Sequence, residues 1–411
     1  MPMPSRLAAA LFFVFGTSAM AAEPAAPLRF EVATMVEDGA IGEDGSVWFK
    51  SLFDNVRFVL PAGKNPRADD LWRIILAANQ SKRELKVWFD AAAGEIEEES
   101  AALVFPICAA ALADERVEIA TSCGAPVSSF NPKQELMVGW ALHQKSSHVE
   151  SRKLLDRAVA SSGESRAFRL IAVRAHANLL ESIGYETEPR SEESDRAHVA
   201  ALADYRTLAE MQPDVAEHVL QIGYQQEALG DYRNAEETYR QLMTKWPEED
   251  YRANIRLAAI ERRRGNHDRA LELTNRVAEK YPDQLGMKFY YHRGWTLTKM
   301  RRYDEAIADF TAGLREQPDY PWAHARRACA QALIGQHKLA LADMEMALEM
   351  LGSSSIGDRK DLVHDKARAR AVIAMLRAAI AAGSSQPIPD VCEGYWPSFE
   401  QHRTPSPLLP R

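Results

Sequence analysis

Four alanines at a near-constant interval constrain this chain more than any other feature. Ala235, Ala270, Ala306 and Ala340 are 35, 36 and 34 residues apart, and Pro247, Pro282 and Pro318 each follow the first three by twelve. An earlier half-unit, Ala201, Tyr205 and Pro213, matches Ala235, Tyr239 and Pro247 at a shift of 34. A fixed period of this length means stacked supersecondary units, each of which buries its apolar face only against its neighbours.

The copies align residue by residue. The first reads Val219, Ile222-Gly223, Gln226, Gly230, Tyr232, Ala235, Tyr239, Pro247. The second reads Asn254, Leu257-Ala258, Glu261, Gly265, Ala270, Thr274, Pro282. The third reads Tyr290, Arg293-Gly294, Leu297, Tyr303, Ala306, Phe310, Pro318. The fourth reads His324, Arg327-Ala328, Gln331, Gly335, Ala340, Met344, and ends on Gly352 in place of proline. Gly or Ala lets the two helices of a unit cross closely, large residues fill between layers, and proline breaks each second helix. This pattern resembles the tetratricopeptide repeat. Asn254 and Thr274 depart from it in the second copy, and Arg293 and Arg327 stand where the family has leucine. The resemblance implies a mainly α fold: a tetratricopeptide-type α-solenoid of helix-turn-helix repeats over 133–354, preceded by a small α+β domain.

That preceding domain is read over 28–130. RFEVATMV alternates like a strand, EDGAIGEDGS reads as turn, and SVWF, VRFVLP and ELKVWFD are further strands around the helix ADDLWRIILAANQSK. AALVFPICAAAL is an apolar run of undecided type. The string from GSVWFK to LKVWFD resembles, without a diagnostic motif, small OB-like barrels of exported bacterial proteins. Glu37, Asp38, Glu43 and Asp44 lack calcium-loop spacing and read as a solvated turn. After Asn131-Pro132 the chain turns helical; Gly184 is read as a helix C-cap and YETEPRSEES as a loop. A linker, SSSIGDR, leads to a capping helix over 360–383, and 384–411 is a Pro/Ser-rich tail in which Tyr395, Trp396 and Phe399 are candidate docking residues.

The first 21 residues read as a signal peptide: Arg6, the apolar run LAAALFFVF, and the small-x-small site Ala19-Met20-Ala21. The expectation is an exported protein, periplasmic in a two-membrane bacterium, with no membrane segment once mature. Four cysteines, Cys108, Cys123, Cys329 and Cys392, allow three full pairings in an oxidising compartment. Cys108 and Cys123 are the preferred disulfide, closing a short loop around the strand-like VEIATS. Cys329 reads as a small buried residue in a repeat helix and Cys392 as a tail thiol.

No metal, phosphate-loop, dinucleotide or nucleophile-elbow motif occurs, so no cofactor, catalytic residue or metal site is assigned. His267 and His337 read as solvated turn residues, and a net charge of −8 argues against nucleic acid as a partner. In the family the first helix of each pair lines the concave face. Its positions read as exposed here are Glu217, Gln221, Tyr224, Arg252, Arg256, Arg262, Arg263, Lys288, Tyr291, His292, Trp295, Lys299, Trp322 and Arg326, a basic set interleaved with aromatics. The second helices carry Glu236, Glu237, Asp304, Glu305, Asp309, Asp343 and Glu345, an acidic outer face. The partner-binding set is taken as Tyr224, Arg252, Arg256, Arg263, Lys288, Tyr291, Trp295, Lys299, Trp322 and Arg326, with Arg263 facing the ligand more directly than Arg262. This groove would take a protein partner through an acidic segment. The competing reading is that the cations solvate helices and the rings pack between layers. A second functional reading has the α+β domain bind glycan or a small ligand, with the repeats as an assembly platform.

Overall fold

A computed structural model describes residues 29–34, 36–41, 46–51, 56–60, 67–81, 83–112, 115–118, 129–145, 147–161, 164–186, 191–352, 362–388 and 404–409. The leader, Glu43, Asp44, Cys123, the 353–359 linker, Cys392, Tyr395, Trp396 and Phe399 lie outside them. Two compact units divide between Leu179 and Leu180.

In the first unit, alternation of buried and half-exposed residues builds a mixed sheet. Its strands are β1 (Arg29–Thr34), β2 (Val36–Ile41), β3 (Val47–Ser51), β4 (Val56–Leu60), β5 (Leu85–Asp90), β6 (Glu95–Glu97), β7 (Ala102–Leu112) and β8 (Glu115–Glu118). The order is β1-β5-β7-β4-β3-β2, with β6 and β8 pairing β7 and β4 running parallel to β7. Among the described strands the path is open, from β1 to β2, so the OB-like closure expected from sequence is not what these strands form. The undecided run is β7. Half of the expected turn is strand: Val36–Ile41 pairs β3 across a bulge, and Gly39 donates its N–H to the Asp38 carboxylate at 2.8 Å.

Phe49, Phe58, Phe89 and Phe105 point to one face and touch in sequence, with ring centroids 4.8–5.3 Å apart for the Phe49–Phe58, Phe58–Phe89 and Phe89–Phe105 pairs. Helix α1 (Ala68–Ser81) buries Leu71, Ile74, Ile75 and Ala78. Helix α2 (Pro132–Gln144), capped by Asn131 through a capping box with Gln134, stacks Trp140 on Phe105 at 5.1 Å. Helix α2 thus packs on the sheet, although the sequence groups it with the repeats. It pairs with α3 (His148–Ala160). Cys108 is fully buried in β7 and disulfide-bonded.

The division between units falls within α4 (Arg166–Glu186). This helix runs through Gly184 and does not end there. A Cβ at Gly184 would meet the His198 ring of α5 (Glu192–Met211), so the glycine serves a close crossing, and Ser191 caps α5 within the expected loop. The repeats follow as hairpins: α6 (Ala216–Ala228) with α7 (Tyr232–Lys245), α8 (Asp250–Arg263) with α9 (His267–Lys280), α10 (Met287–Lys299) with α11 (Tyr303–Glu316), and α12 (Pro321–Ala332) with α13 (His337–Gly352). Ala235, Ala270, Ala306 and Ala340 are all fully buried. A Cβ at Gly223 would meet Tyr239, and one at Gly294 would meet Phe310, which fixes the close crossing inside each hairpin. Three hairpin turns place glycine at positive φ (Gly230 at 76°, Gly265 at 84°, Gly335 at 78°); the third repeat puts Arg301 there, at 60°.

The two arginines that replace leucine have a repeated partner. Arg293 donates to both oxygens of Asp309 at 2.8 and 2.7 Å, and Arg327 to both of Asp343 at 2.7 Å each. Asp309 and Asp343 are therefore buried ion-pair partners within hairpins, not members of a solvated acidic face. His337 is likewise buried, where a solvated turn residue was expected. Helix α14 (Leu362–Ala381) packs Val372, Ile373 and Leu376 on Met344 and Ala347 of α13. Cys329, fully buried in α12, is disulfide-bonded and not merely a small core residue.

Candidate functional site

The first helices α8, α10 and α12 lie side by side, and helical spacing sets what they present to one another. Arg252, Arg256 and Arg263 recur at four and seven residues and form one stripe of α8; Lys288, Trp295 and Lys299 form the matching stripe of α10. On α6, Tyr224 and Glu227 fall three apart, one turn of the helix.

Glu227 organises the α6–α8 seam. Its carboxylate accepts from Arg256 Nε at 3.0 Å and Nη2 at 2.6 Å, from Arg263 Nη1, and from the Tyr239 hydroxyl at 3.1 Å. Burial would raise this carboxyl, but Arg256 and Arg263 beside it overcome that effect and hold it at about 2. The Arg256 guanidinium also lies 4.8 Å from the Tyr224 ring. Arg252 is tied to Glu217 at 2.8 Å and to Glu249 at 3.3 Å.

The α8–α10–α12 seam is different. Arg262 and Arg326 each place the guanidinium carbon 3.7 Å from the Trp295 ring centroid. Two cations that close to one ring must occupy its opposite faces, so Trp295 is sandwiched between α8 and α12. Arg326 Nε donates to the Tyr291 hydroxyl at 2.8 Å, and burial pushes that phenol up to about 12. Arg262 donates to the His292 carbonyl at 3.4 Å and meets His292 Nδ1 at 3.3 Å. Burial lowers the His292 imidazole well below its usual range, and Arg262, Arg256, Arg263 and Arg326 lower it further. The ring is thus neutral at pH 7 and accepts from Arg262. Arg262 itself is lowered by burial and then by Arg263 and Arg326 nearby.

The expected exposure of this set needs correction. Arg262, Tyr291, Trp295 and Arg326 are only 4%, 4%, 3% and 2% exposed. Trp295 has both faces covered, so it is not a bare apolar anchor. The two neighbours also differ in their contacts. Arg263 is committed to Glu227, whereas Arg262 meets a carbonyl, a neutral imidazole and an indole face. Lys288 and Lys299 are exposed, and Tyr224, Arg252 and Trp322 half-exposed; Trp322 Nε1 donates to Asp365 at 3.4 Å. Sequence reading missed Glu227 as a hub because it was not among the first-helix positions read as exposed. Its spacing to Arg256 and Arg263, close to one repeat, was the available signal.

Tetratricopeptide-repeat family profiles match residues 220–284 and 288–320. The helical hairpins over these residues are tetratricopeptide repeats. A tetratricopeptide array is a protein-interaction scaffold, and such proteins are generally not enzymes. Among solved structures, a tetratricopeptide repeat protein from Parabacteroides merdae is 18% identical, over 61% of this chain and 86% of its own, with a TM-score of 0.47. MamA from Desulfovibrio magneticus RS-1 is 20% identical over 44% of this chain and 97% of its own, with a TM-score of 0.32. Human IFIT1, solved as a dimer with PPP-AAAA, is 15% identical over 64% and 62%, with a TM-score of 0.41. No partner or ligand is carried from these structures to this one. No curated protein matches the chain in sequence. Among the described residues, no helix is long and apolar enough to cross a membrane. No three His, Cys, Asp or Glu side chains among them converge to hold a metal.

Proposed function

We propose that this is an exported, non-enzymatic tetratricopeptide scaffold that binds a protein partner through an acidic segment laid along the first helices. One observation carries this reading. Among the described residues, Arg262 is a buried guanidinium whose contacts are a carbonyl, a neutral imidazole and a ring face, with no carboxylate. Its Nε has no hydrogen-bond partner among them. A buried cation is stable only when paired, so the seam calls for an anion, and a planar guanidinium fork fits a carboxylate. Lys288 and Lys299, exposed on α10, give the approach the same sign. The disulfide-bonded Cys108 and Cys329 support an oxidising compartment, in keeping with the signal-peptide pattern at the N-terminus.

The test is co-purification from the native envelope with the parent protein and with Arg262→Gln, after circular dichroism has shown equal helicity. The reading predicts an acidic protein captured by the parent, salt-sensitive and reduced at least ten-fold with the variant. Equal capture would return Arg262 to the packing between layers. Protein isolated from cells should begin at or next to Ala22, and an intact Met1 would rule out export with cleavage.

A further inference from the structure

Several arginines of the repeats hold a carboxylate in one and the same way. Arg256 donates Nε and Nη2 to the two oxygens of Glu227, at 3.0 and 2.6 Å. Arg293 does so to Asp309 at 2.8 and 2.7 Å, Arg327 to Asp343 at 2.7 Å each, and Arg302 to Glu305 at 2.7 and 2.6 Å. The edge formed by Nε and Nη2 offers two parallel N–H groups at the spacing of carboxylate oxygens.

Arg262 is held differently. Both of its terminal nitrogens turn to one residue: Nη1 donates to the His292 carbonyl at 3.4 Å and Nη2 to His292 Nδ1 at 3.3 Å. Arginine has no acceptor atom, so Nδ1 keeps its lone pair and the single proton of the neutral ring sits on Nε2. His292 thus grips the end of the guanidinium through two acceptors. Each terminal nitrogen carries two N–H groups, so Nη2 keeps one for the other edge. On that edge Nε is buried, and no described group accepts from it. Trp295 covers one face of the guanidinium, its ring centroid 3.7 Å from the central carbon. Aim and tilt are therefore fixed, and the donor edge left over is the one that holds a carboxylate elsewhere in the array.

We propose that the Nε–Nη2 edge of Arg262 is a preformed site for a single carboxylate, and that His292, in its Nε2–H form, is the residue that aims it. This rests on the groove reading above and names what is read in the acidic segment: one Asp or Glu side chain, taken on two parallel bonds. His292 acts through Arg262 and is a positioning residue. The charges that face it hold its ring neutral: Arg256, Arg262 and Arg263 from α8 and Arg326 from α12. The buried residues of α9 are uncharged, and Asp309 of α11 is held by Arg293. Because Nε is buried, the carboxylate enters as neighbouring side chains move, and association is slower than into an open groove.

The test uses a fluorescein-labelled, amidated hexa-aspartate peptide as the probe. Its anisotropy is titrated with the full chain and with Arg262→Gln, Arg262→Lys, His292→Asn and His292→Leu, all checked for equal helicity. Lysine keeps the charge without the fork, asparagine keeps an acceptor where Nδ1 lies, and leucine removes it. Binding by His292→Asn should stay within about two-fold of the parent, and His292→Leu and Arg262→Lys should each bind at least about ten-fold more weakly. Nitrogen-15 NMR of the parent at pH 7 should find the His292 proton on Nε2. A leucine variant that binds like the parent, an asparagine variant as weak as leucine, or a proton on Nδ1 overturns the aiming role. Arg262→Lys equal to the parent overturns the edge site. In each of these cases, loss of binding in Arg262→Gln leaves the groove reading standing. Binding indifferent to Arg262→Gln, or no binding to any form, overturns both.

Discussion

Replacing Glu227 with glutamine should destabilise the array by about 3–5 kcal/mol at pH 7, because it leaves the buried Arg263 and the half-buried Arg256 guanidiniums facing a neutral amide. The depressed carboxyl points to a similar magnitude. The Glu227 side chain is 2% exposed and its carboxyl is held at about 2. Against an ordinary glutamate near 4.3 that depression corresponds to about 3 kcal/mol. The sign follows from the direction of the shift. A lowered carboxyl contributes fully above the unfolded pKa and loses its contribution as pH falls from about 4.5 towards 2. Urea unfolding followed by circular dichroism, at pH 7 and at pH 3, should show the gap between parent and Glu227→Gln shrink by about half at the lower pH. Exposed carboxylates titrate in both proteins and cancel in the comparison. A variant within 1 kcal/mol of the parent at pH 7, or a gap unchanged with pH, would refute the assignment of Glu227 as the ionic hub of the α6–α8 seam.

Arg301→Gly should raise stability by about 1 kcal/mol, because Arg301 sits at a φ of 60° in the turn where three other repeats have glycine; a lowered melting temperature would contradict this. Arg293→Leu alone should cost about 3–5 kcal/mol by stranding the buried Asp309, whereas adding Asp309→Leu should recover most of it. Urea midpoints of the two variants decide the matter, and a double variant no better than the single one would count against the pair. Peptide mapping without reductant should join Cys108 to Cys123, and removing that bond should cost about 2–4 kcal/mol in the first unit; two free thiols in exported protein would exclude it.

The repeat was legible because its signal is steric and periodic. Ala235, Ala270, Ala306 and Ala340 are buried at their expected crossings, and Gly223 and Gly294 meet the rings of Tyr239 and Phe310 as the pattern requires. Charged positions were less legible, since sequence fixes which stripe a residue joins but not what lies across the seam. Arg293 and Arg327 looked like defects until Asp309 and Asp343, each sixteen residues on, appeared opposite them. The basic stripe looked solvated, yet Arg262 and Arg326 close on Trp295 from two different repeats. That contact spans one full period and depends on how neighbouring hairpins stack. In the first unit the alternation of β3, β4 and β5 was readable, but the open path through the long strand β7 follows from pairings distant in sequence.

The most direct test of the scaffold reading places a photo-crosslinking amino acid at Lys288, exposed on the first-helix row, and separately at Glu305, exposed on a second helix. Cells of the native host are then irradiated and the adducts identified. The account predicts a discrete protein adduct from position 288, absent from position 305 and lost when Arg262→Gln is added. Adducts of equal yield from both positions, or an adduct from position 288 that survives Arg262→Gln, would contradict it.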